Sequence, residues 1–229
     1  MCTNATHSHA LTPGLELKLV PHGNKTEVRY RGPNITPGYW RNEAATQDSF
    51  DEEGFFCTGD AVQWIDNNDI HQGLKFDGRI AEDFKLATGT FVSVGPLLAK
   101  MIAAGAPLVQ DVVITGMNEK EMGALILLAM GPAKKYTRLP DTATMKEIAA
   151  RAGITACIAD FLTKMAREAT GSASRVARAV VLTEPPSIDQ GEVTDKGSIN
   201  QRAVLSTRAA LVHALYAGTA PHIVKPDTA

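Results

Sequence analysis

The short charged segment Gly78-Arg79-Ile80-Ala81-Glu82-Asp83 separates two stretches of different patterning, and that separation constrains the fold more than any single motif. Before it, Leu15-Glu16-Leu17-Lys18-Leu19-Val20 and Thr26-Glu27-Val28-Arg29-Tyr30-Arg31 alternate apolar and polar residues. Strands with one buried face show this period, because successive side chains point to opposite sides. His22-Gly23-Asn24 supplies the turn between them, and Glu43 to Phe50 reads as a short helix. Val62 to Ile65 and Ile70 to Phe76 read as two further strands around the turn Asp66-Asn67-Asn68-Asp69. After the segment, Val109 to Thr115, Ala124 to Ala129 and Val176 to Thr183 are apolar runs rich in branched residues, as strands buried on both faces are. Helical spacing marks about Pro96 to Gly105, Thr144 to Ala169 and Ala203 to Tyr216, with Gly153 leaving the middle one open between one helix and two. The predicted class is α+β: a small β-rich module over residues 1–80, then a separate α+β domain over 81–229 with its own core.

Composition narrows the function classes. Twenty-three basic and 25 acidic residues leave a net charge of -2, which gives no electrostatic basis for nucleic-acid or membrane-surface binding. The cysteines Cys2, Cys57 and Cys157 are three in number and far apart, so neither a disulfide framework nor a zinc site is expected. Cys57 reads better as a small buried hydrophobe than as a reactive thiol. No long apolar run marks a signal peptide or a membrane span, and the expected location is cytoplasmic. Asn4-Ala5-Thr6 fits a glycosylation pattern only formally, and the residues up to about Leu11 read as poorly ordered.

Two motifs carry chemistry in the first stretch. Gly54-Phe55-Phe56-Cys57-Thr58-Gly59-Asp60 sets an aspartate directly after a glycine, and Phe76-Asp77-Gly78-Arg79 does the same for an arginine. A carboxylate so placed accepts from two vicinal hydroxyls, as on a ribose, and the guanidinium fork reaches the same sugar or a neighbouring phosphate. Locally, Asp60 reads equally well as a turn residue and Arg79 as half of a surface ion pair. Lys85 sits in an apolar strand-like segment where a lysine also snorkels along an edge. Gly89, in Ala87-Thr88-Gly89-Thr90, allows close backbone approach but suits a plain turn. In the polar loop Gly191-Glu192-Val193-Thr194-Asp195-Lys196-Gly197-Ser198, Lys196 offers a charge for stabilising a developing anion, though a solvated turn is the simpler account. Neither a Gly-x-x-x-x-Gly-Lys-Ser/Thr loop nor a Rossmann glycine pattern occurs.

Five segments in order resemble the C-terminal portion of the adenylate-forming acyl-CoA synthetases, most closely the feruloyl-CoA synthase branch. They are Arg31-Gly32-Pro33-Asn34-Ile35-Thr36-Pro37-Gly38-Tyr39-Trp40, Phe56-Cys57-Thr58-Gly59-Asp60, Asp77-Gly78-Arg79, Lys85-Leu86-Ala87-Thr88-Gly89-Thr90, and Thr194-Asp195-Lys196-Gly197-Ser198-Ile199-Asn200-Gln201-Arg202. The resemblance implies activation of an aromatic carboxylic acid by ATP and Mg, followed by acyl transfer to coenzyme A. It implies that Asp60 binds the ribose hydroxyls and that Arg79 contacts the ribose or α-phosphate. A hinge is expected around Ala81 and Glu82, with Lys85 and Gly89 approaching the site during thioester formation. The family's usual ending, Gly-Lys-Ile, places Ser198 at the lysine position; Lys196, two residues earlier, is assigned the adenylation role. Before Leu15 the family's phosphate loop, adenine pocket and Thr-Glu motif do not appear. The expectation is therefore a fragment, inactive alone, consisting of the distal β-rich subdomain of an adenylation domain and its lid, with an N-terminal adenylation-domain fragment as a possible partner. The alternative is a non-catalytic lid protein that binds a nucleotide, coenzyme A or a partner.

Overall fold

A computed structural model of the chain describes residues 13–227; Cys2, the Asn4-Ala5-Thr6 pattern and the leading polar residues lie outside the described part. The chain divides into two compact units between Ala81 and Glu82. It is a mixed α+β fold of small, largely antiparallel sheets and several helices.

The first unit is built on a four-stranded sheet of β1 (Glu16–His22), β2 (Lys25–Arg31), β3 (Phe56–Trp64) and β4 (Leu74–Arg79), each antiparallel to the next. Alternation decides its two faces. Val28, Val62 and Leu74 are buried together, with Leu17, Leu19 and Trp64 packed around them. The intervening residues Lys18, Lys25, Glu27 and Arg29 are charged and belong to the opposite face. A short helix, α1 (Glu43–Asp48), starts where the Asn42 side chain accepts from the Ala45 N–H at 3.0 Å. Two sequence expectations need correcting here. The strand expected at Val62 begins at Phe56, so Gly59-Asp60 lies inside a strand. The strand expected from Ile70 opens as a single 3₁₀ turn, Ile70–Gln72, and β4 then runs on through Gly78-Arg79.

The second unit begins with a two-stranded hairpin, β5 (Phe84–Lys85) and β6 (Phe91–Val92), followed by α2 (Val94–Gly105). A three-stranded sheet follows: β7 (Val109–Thr115) pairs antiparallel with β8 (Met122–Leu128), which pairs parallel with β9 (Val176–Val181). Between β8 and β9 run α3 (Met130–Thr137), α4 (Met145–Ala149) and α5 (Ala152–Glu168). After β9 come α6 (Gln201–Thr207) and α7 (Ala209–Ala217).

Both faces of this sheet are covered, which is why its strands read as continuous apolar runs. Met122, Ala124, Ile126 and Leu128 of β8 join the larger core with Met101 of α2 and Phe161 of α5. Leu125 faces the other way, into a smaller cluster with Val204 and Leu215 of the last two helices. At the β7 rim, the buried Gln201 side chain accepts from Ile114 N–H at 3.0 Å and donates to Val112 C=O at 2.7 Å. At the β9 rim, Ala179 and Val224 exchange two backbone hydrogen bonds of 2.8 Å.

Candidate functional site

Asp60 and Arg79 stand directly opposite each other on β3 and β4. Two sheet irregularities bring this about. On β3, register jumps from Glu27↔Ala61 to Arg29↔Cys57, so extra residues around Thr58-Gly59 bulge outward. On β4, register passes from Asp60↔Arg79 to Val62↔Phe76, giving one extra residue near Asp77-Gly78. Arg79 Nε lies 3.4 Å from Asp60 Oδ1, with the two side chains 62% and 34% exposed. An ion pair this open contributes about 0–1 kcal/mol; Asp60 Oδ1 is shielded, while the rest of the Asp60 side chain and Arg79 are partly exposed.

The bulges are held by charges whose role the sequence did not reveal. Glu27 Oε1 accepts from Gly59 N–H at 3.0 Å, while Thr58 Oγ1 accepts from Asp60 N–H at 3.0 Å. Lys25 Nζ, buried, donates to the Asp77 carbonyl at 2.6 Å. Arg29 grips Glu27 Oε2 through Nε and Nη2 at 2.8 and 2.7 Å and reaches Asp51 Oδ2 at 3.1 Å. Burial alone raises the Asp51 pKa. Backbone donors at Phe55 and Glu53, with Lys18 and Arg29, overcome that and hold it well below the usual carboxylate range. The signal for this network was Lys25-x-Glu27-x-Arg29, three charges on one face of a strand. Cys57 is only half-buried, yet burial is the largest influence on its thiol and pushes it up, so a thiolate nucleophile is not favoured there.

The remaining sequence-predicted residues sit on two hairpins of the second unit. Lys85, exposed, pairs with Phe91 across β5 and β6. Beyond it the chain turns through Ala87-Thr88-Gly89: Gly89 N–H donates to Leu86 C=O and Leu86 N–H to Thr90 C=O, both at 2.9 Å. Lys196 occupies the middle of a turn of the same form. Gly197 N–H donates to Thr194 C=O at 2.8 Å and Thr194 N–H to Ser198 C=O at 2.9 Å. Gly89 and Gly197 have φ of 83° and 80°, as the third residue of such a loop requires. Lys196 is exposed at the tip, whereas the Ser198 hydroxyl is tied back to the Thr194 hydroxyl at 2.7 Å.

The sequence reading also missed Glu192 and Arg208. Glu192 is completely buried, and its carboxylate takes Arg208 Nε and Nη2, both at 2.8 Å, the Ser187 N–H at 2.7 Å and the Thr207 hydroxyl. Arg208 foremost pulls the Glu192 pKa down to about 2. Glu192 lies in a polar loop and Arg208, sixteen positions on, inside the apolar stretch read as the last helix, so no local pattern pairs them. Among the described residues, no group of three or more His, Cys, Asp or Glu side chains is placed to hold a metal ion, and no helix is long and apolar enough to cross a membrane.

Comparison with known proteins gives these sites a setting. Residues 86–220 match the family model for the AMP-binding enzyme C-terminal domain. Over 209 residues the chain is 27% identical to a probable chloroplastic acyl-activating enzyme 16 of Arabidopsis thaliana, covering 86% of this chain and 28% of that protein. Over 207 residues it is 28% identical to the long-chain-fatty-acid–CoA ligase FadD15 of Mycobacterium tuberculosis, covering 89% and 33% respectively. Its fold matches part of the A domain of a carboxylic acid reductase from Segniliparus rugosus, solved with AMP and a co-purified carboxylic acid. There the TM-score is 0.67 at 24% identity, covering 93% of this chain and 33% of the other. The chain thus spans about a third or less of each of these proteins.

Proposed function

This chain belongs to the AMP-binding enzyme C-terminal domain family, and we propose that it acts as the lid of an adenylate-forming acyl ligase, incomplete as a catalyst by itself. The complementary nucleotide-binding portion is either elsewhere on a longer polypeptide or on a partner. Residues up to about 80 belong, in this reading, to the distal β-rich part of the adenylation domain. The observation that carries the reading is the exposed Lys196 at the tip of a hydrogen-bonded hairpin inside the family-matched region.

Asp60 accepts hydrogen bonds from the ribose hydroxyls of ATP and of the adenylate, and Arg79 binds the ribose or α-phosphate beside it. Lys196 places its ammonium between the acid's carboxylate and the α-phosphate, stabilising the charge that develops as pyrophosphate leaves. Lys85 and Gly89 serve the second half-reaction, transfer of the acyl group to coenzyme A, with Gly89 offering backbone free of a side chain. ATP enters as its Mg complex; among the described residues no three His, Cys, Asp or Glu side chains gather to hold a metal, and this reading assigns the Mg ligands to the complementary portion. The acid is an aromatic one of the hydroxycinnamate class, a choice supported by the five ordered motifs rather than by the relatives above.

Mixing the chain with a separately produced nucleotide-binding portion, ATP, Mg, coenzyme A and ferulate tests this. Thioester forms only in the mixture, and Lys196→Ala lowers its rate by about 100-fold or more, the scale for losing one oriented electrostatic group. Thioester formation untouched by Lys196→Ala overturns the assignment, and a preference for long-chain acids over ferulate overturns the substrate class alone. A second reading, a lid that binds a nucleotide, coenzyme A or a partner without catalysing, is favoured by Ser198 standing where the family's lysine is expected. Under it, calorimetry detects saturable ATP or coenzyme A binding that Asp60→Ala weakens, with no turnover in any mixture.

A further inference from the structure

We infer that the buried Glu192–Arg208 pair is a positioning device that fixes where the Lys196 hairpin stands, an inference that rests on the role proposed for Lys196. The hairpin's own bonds set its shape but not its place. The Val193↔Ile199 bridge, the two backbone bonds at the turn and the Thr194–Ser198 hydroxyl contact all lie within residues 193–199. Apolar contact beneath is partial: Ile199 packs against the smaller core cluster, while a cavity of about 300 Å³ is lined by Val193, Gly197 and Ile199 together with Met130, Met145 and Pro186.

The directional tie on the hairpin is its first neighbour. The Glu192 carboxylate collects Arg208, Thr207 and the Ser187 N–H, while its backbone donates to Ser187 C=O and accepts from Asn200 N–H, both at 2.9 Å. Arg208 holds the other arm of the same loop, donating to the carbonyls of Glu184 and Pro185 at 3.0 Å each. It does so from the junction where α6 gives way to α7, with φ −105° and ψ 26°. From there α6 runs back to Gln201, whose side chain is bonded to β7. A continuous line of directional bonds thus connects Lys196 to the sheet. A fully buried carboxylate at the root of a polar loop is a costly choice where any apolar residue would pack, and it supplies what an apolar residue lacks, a fixed direction. Glu192 and Arg208 touch no reacting atom in this scheme.

Amide hydrogen exchange on the full chain, comparing wild type with Glu192→Gln, tests the placement. Thr194, Gly197 and Ser198 amides exchange at least about ten-fold faster in the variant, while Leu125 and Ile126 in β8 and Gly89 in the other hairpin keep their rates. In the complementing mixture, kcat for adenylate formation falls about ten-fold with KM for ATP nearly unchanged, and thioester formation from supplied acyl-adenylate changes less than about two-fold. Unchanged exchange at the hairpin overturns the inference, as does a uniform rise that includes β8, or an equal loss in both half-reactions. If Lys196→Ala leaves adenylation intact, the proposed function fails, and the exchange result alone decides whether Glu192 places the hairpin. Should Glu192→Gln fail to fold, Thr207→Val, which removes a hydroxyl shared between Glu192 and the Ala203 and Val204 carbonyls and keeps the ion pair, still accelerates exchange at the hairpin about three-fold; no acceleration overturns the inference.

Discussion

The hairpin carrying Gly89 and the hairpin carrying Lys196 close on the same three-residue turn, with the same two backbone bonds and a glycine at nearly the same φ. Their side-chain anchors differ in kind, although the first hairpin also bonds through Ala87 N–H to Glu119 C=O at 2.8 Å and the second also packs Ile199 on the smaller core cluster. Phe84 and Leu86 lead into the first turn and Val92 follows it, all three buried in the main core. A buried carboxylate and a guanidinium anchor the root of the second, and its Val193 and Ile199 line a cavity. Apolar anchoring is insensitive to angle and pH, whereas a bidentate ion pair is sensitive to both. One turn geometry thus suits the two roles proposed above: a backbone platform at Gly89 that needs only to be present, and a cation at Lys196 that needs to be aimed.

Unequal consequences of removing each anchor sharpen the contrast. Glu192→Ala leaves the Arg208 guanidinium in its largely buried place without its counter-charge, and the chain loses about 3–5 kcal/mol in urea unfolding. Leu86→Ala removes a core side chain and costs about 2–4 kcal/mol by the same measurement, with no change in exchange at Gly197. Acid separates the hairpins next. The Glu192 pKa is depressed from 4.5 to about 2, so its contribution is complete above the unfolded value and fades as pH falls through that interval. The linked stability is on the order of 3 kcal/mol at most. Amides of residues 194–198 therefore lose protection between about pH 4.5 and 2, while the hairpin fixed by Phe84, Leu86 and Val92 does not respond at that step. The smallest effect shows where the two agree. Gly89→Ala and Gly197→Ala each cost about 1–2 kcal/mol, because a Cβ at either position meets no neighbour within 4 Å and only backbone strain remains. A difference above about 1 kcal/mol between these two variants would break the claim of a shared turn.

What was legible in the sequence follows the range of the forces involved. The strands β7, β8 and β9 were readable because burial on both faces leaves long apolar runs. Helix α3 was missed because Gly131-Pro132 reads as a breaker; Pro132 sits in the first turn, where a missing N–H does no harm. The segment from Thr144 resolves as two helices, separated at Ala150-Arg151 rather than at Gly153, with Thr144 and Glu147 forming a reciprocal cap. The final helix is broken as well, at Arg208, whose side chain bonds to Glu192; no local residue pattern announces a break set by a partner sixteen positions away. Asp60 and Arg79 were read as a pair from their glycines, and they do face each other. The reason is two bulges in neighbouring strands and not two turns, and the charges that hold those bulges come from alternate positions of a third strand.

One further feature bears on how such a chain survives in solution. Three short apolar strands offer two naked flanks on which foreign strands template themselves into fibrils, a hazard greatest for flat, hydrophobic borders. Here an amide side chain imitates a neighbouring backbone along Val112 and Ile114, and a single residue near the end, Val224, does the same for Ala179. Gln201→Leu keeps the bulk and discards the mimicry, leaving Ile114 N–H and Val112 C=O without that partner, so soluble yield falls together with stability.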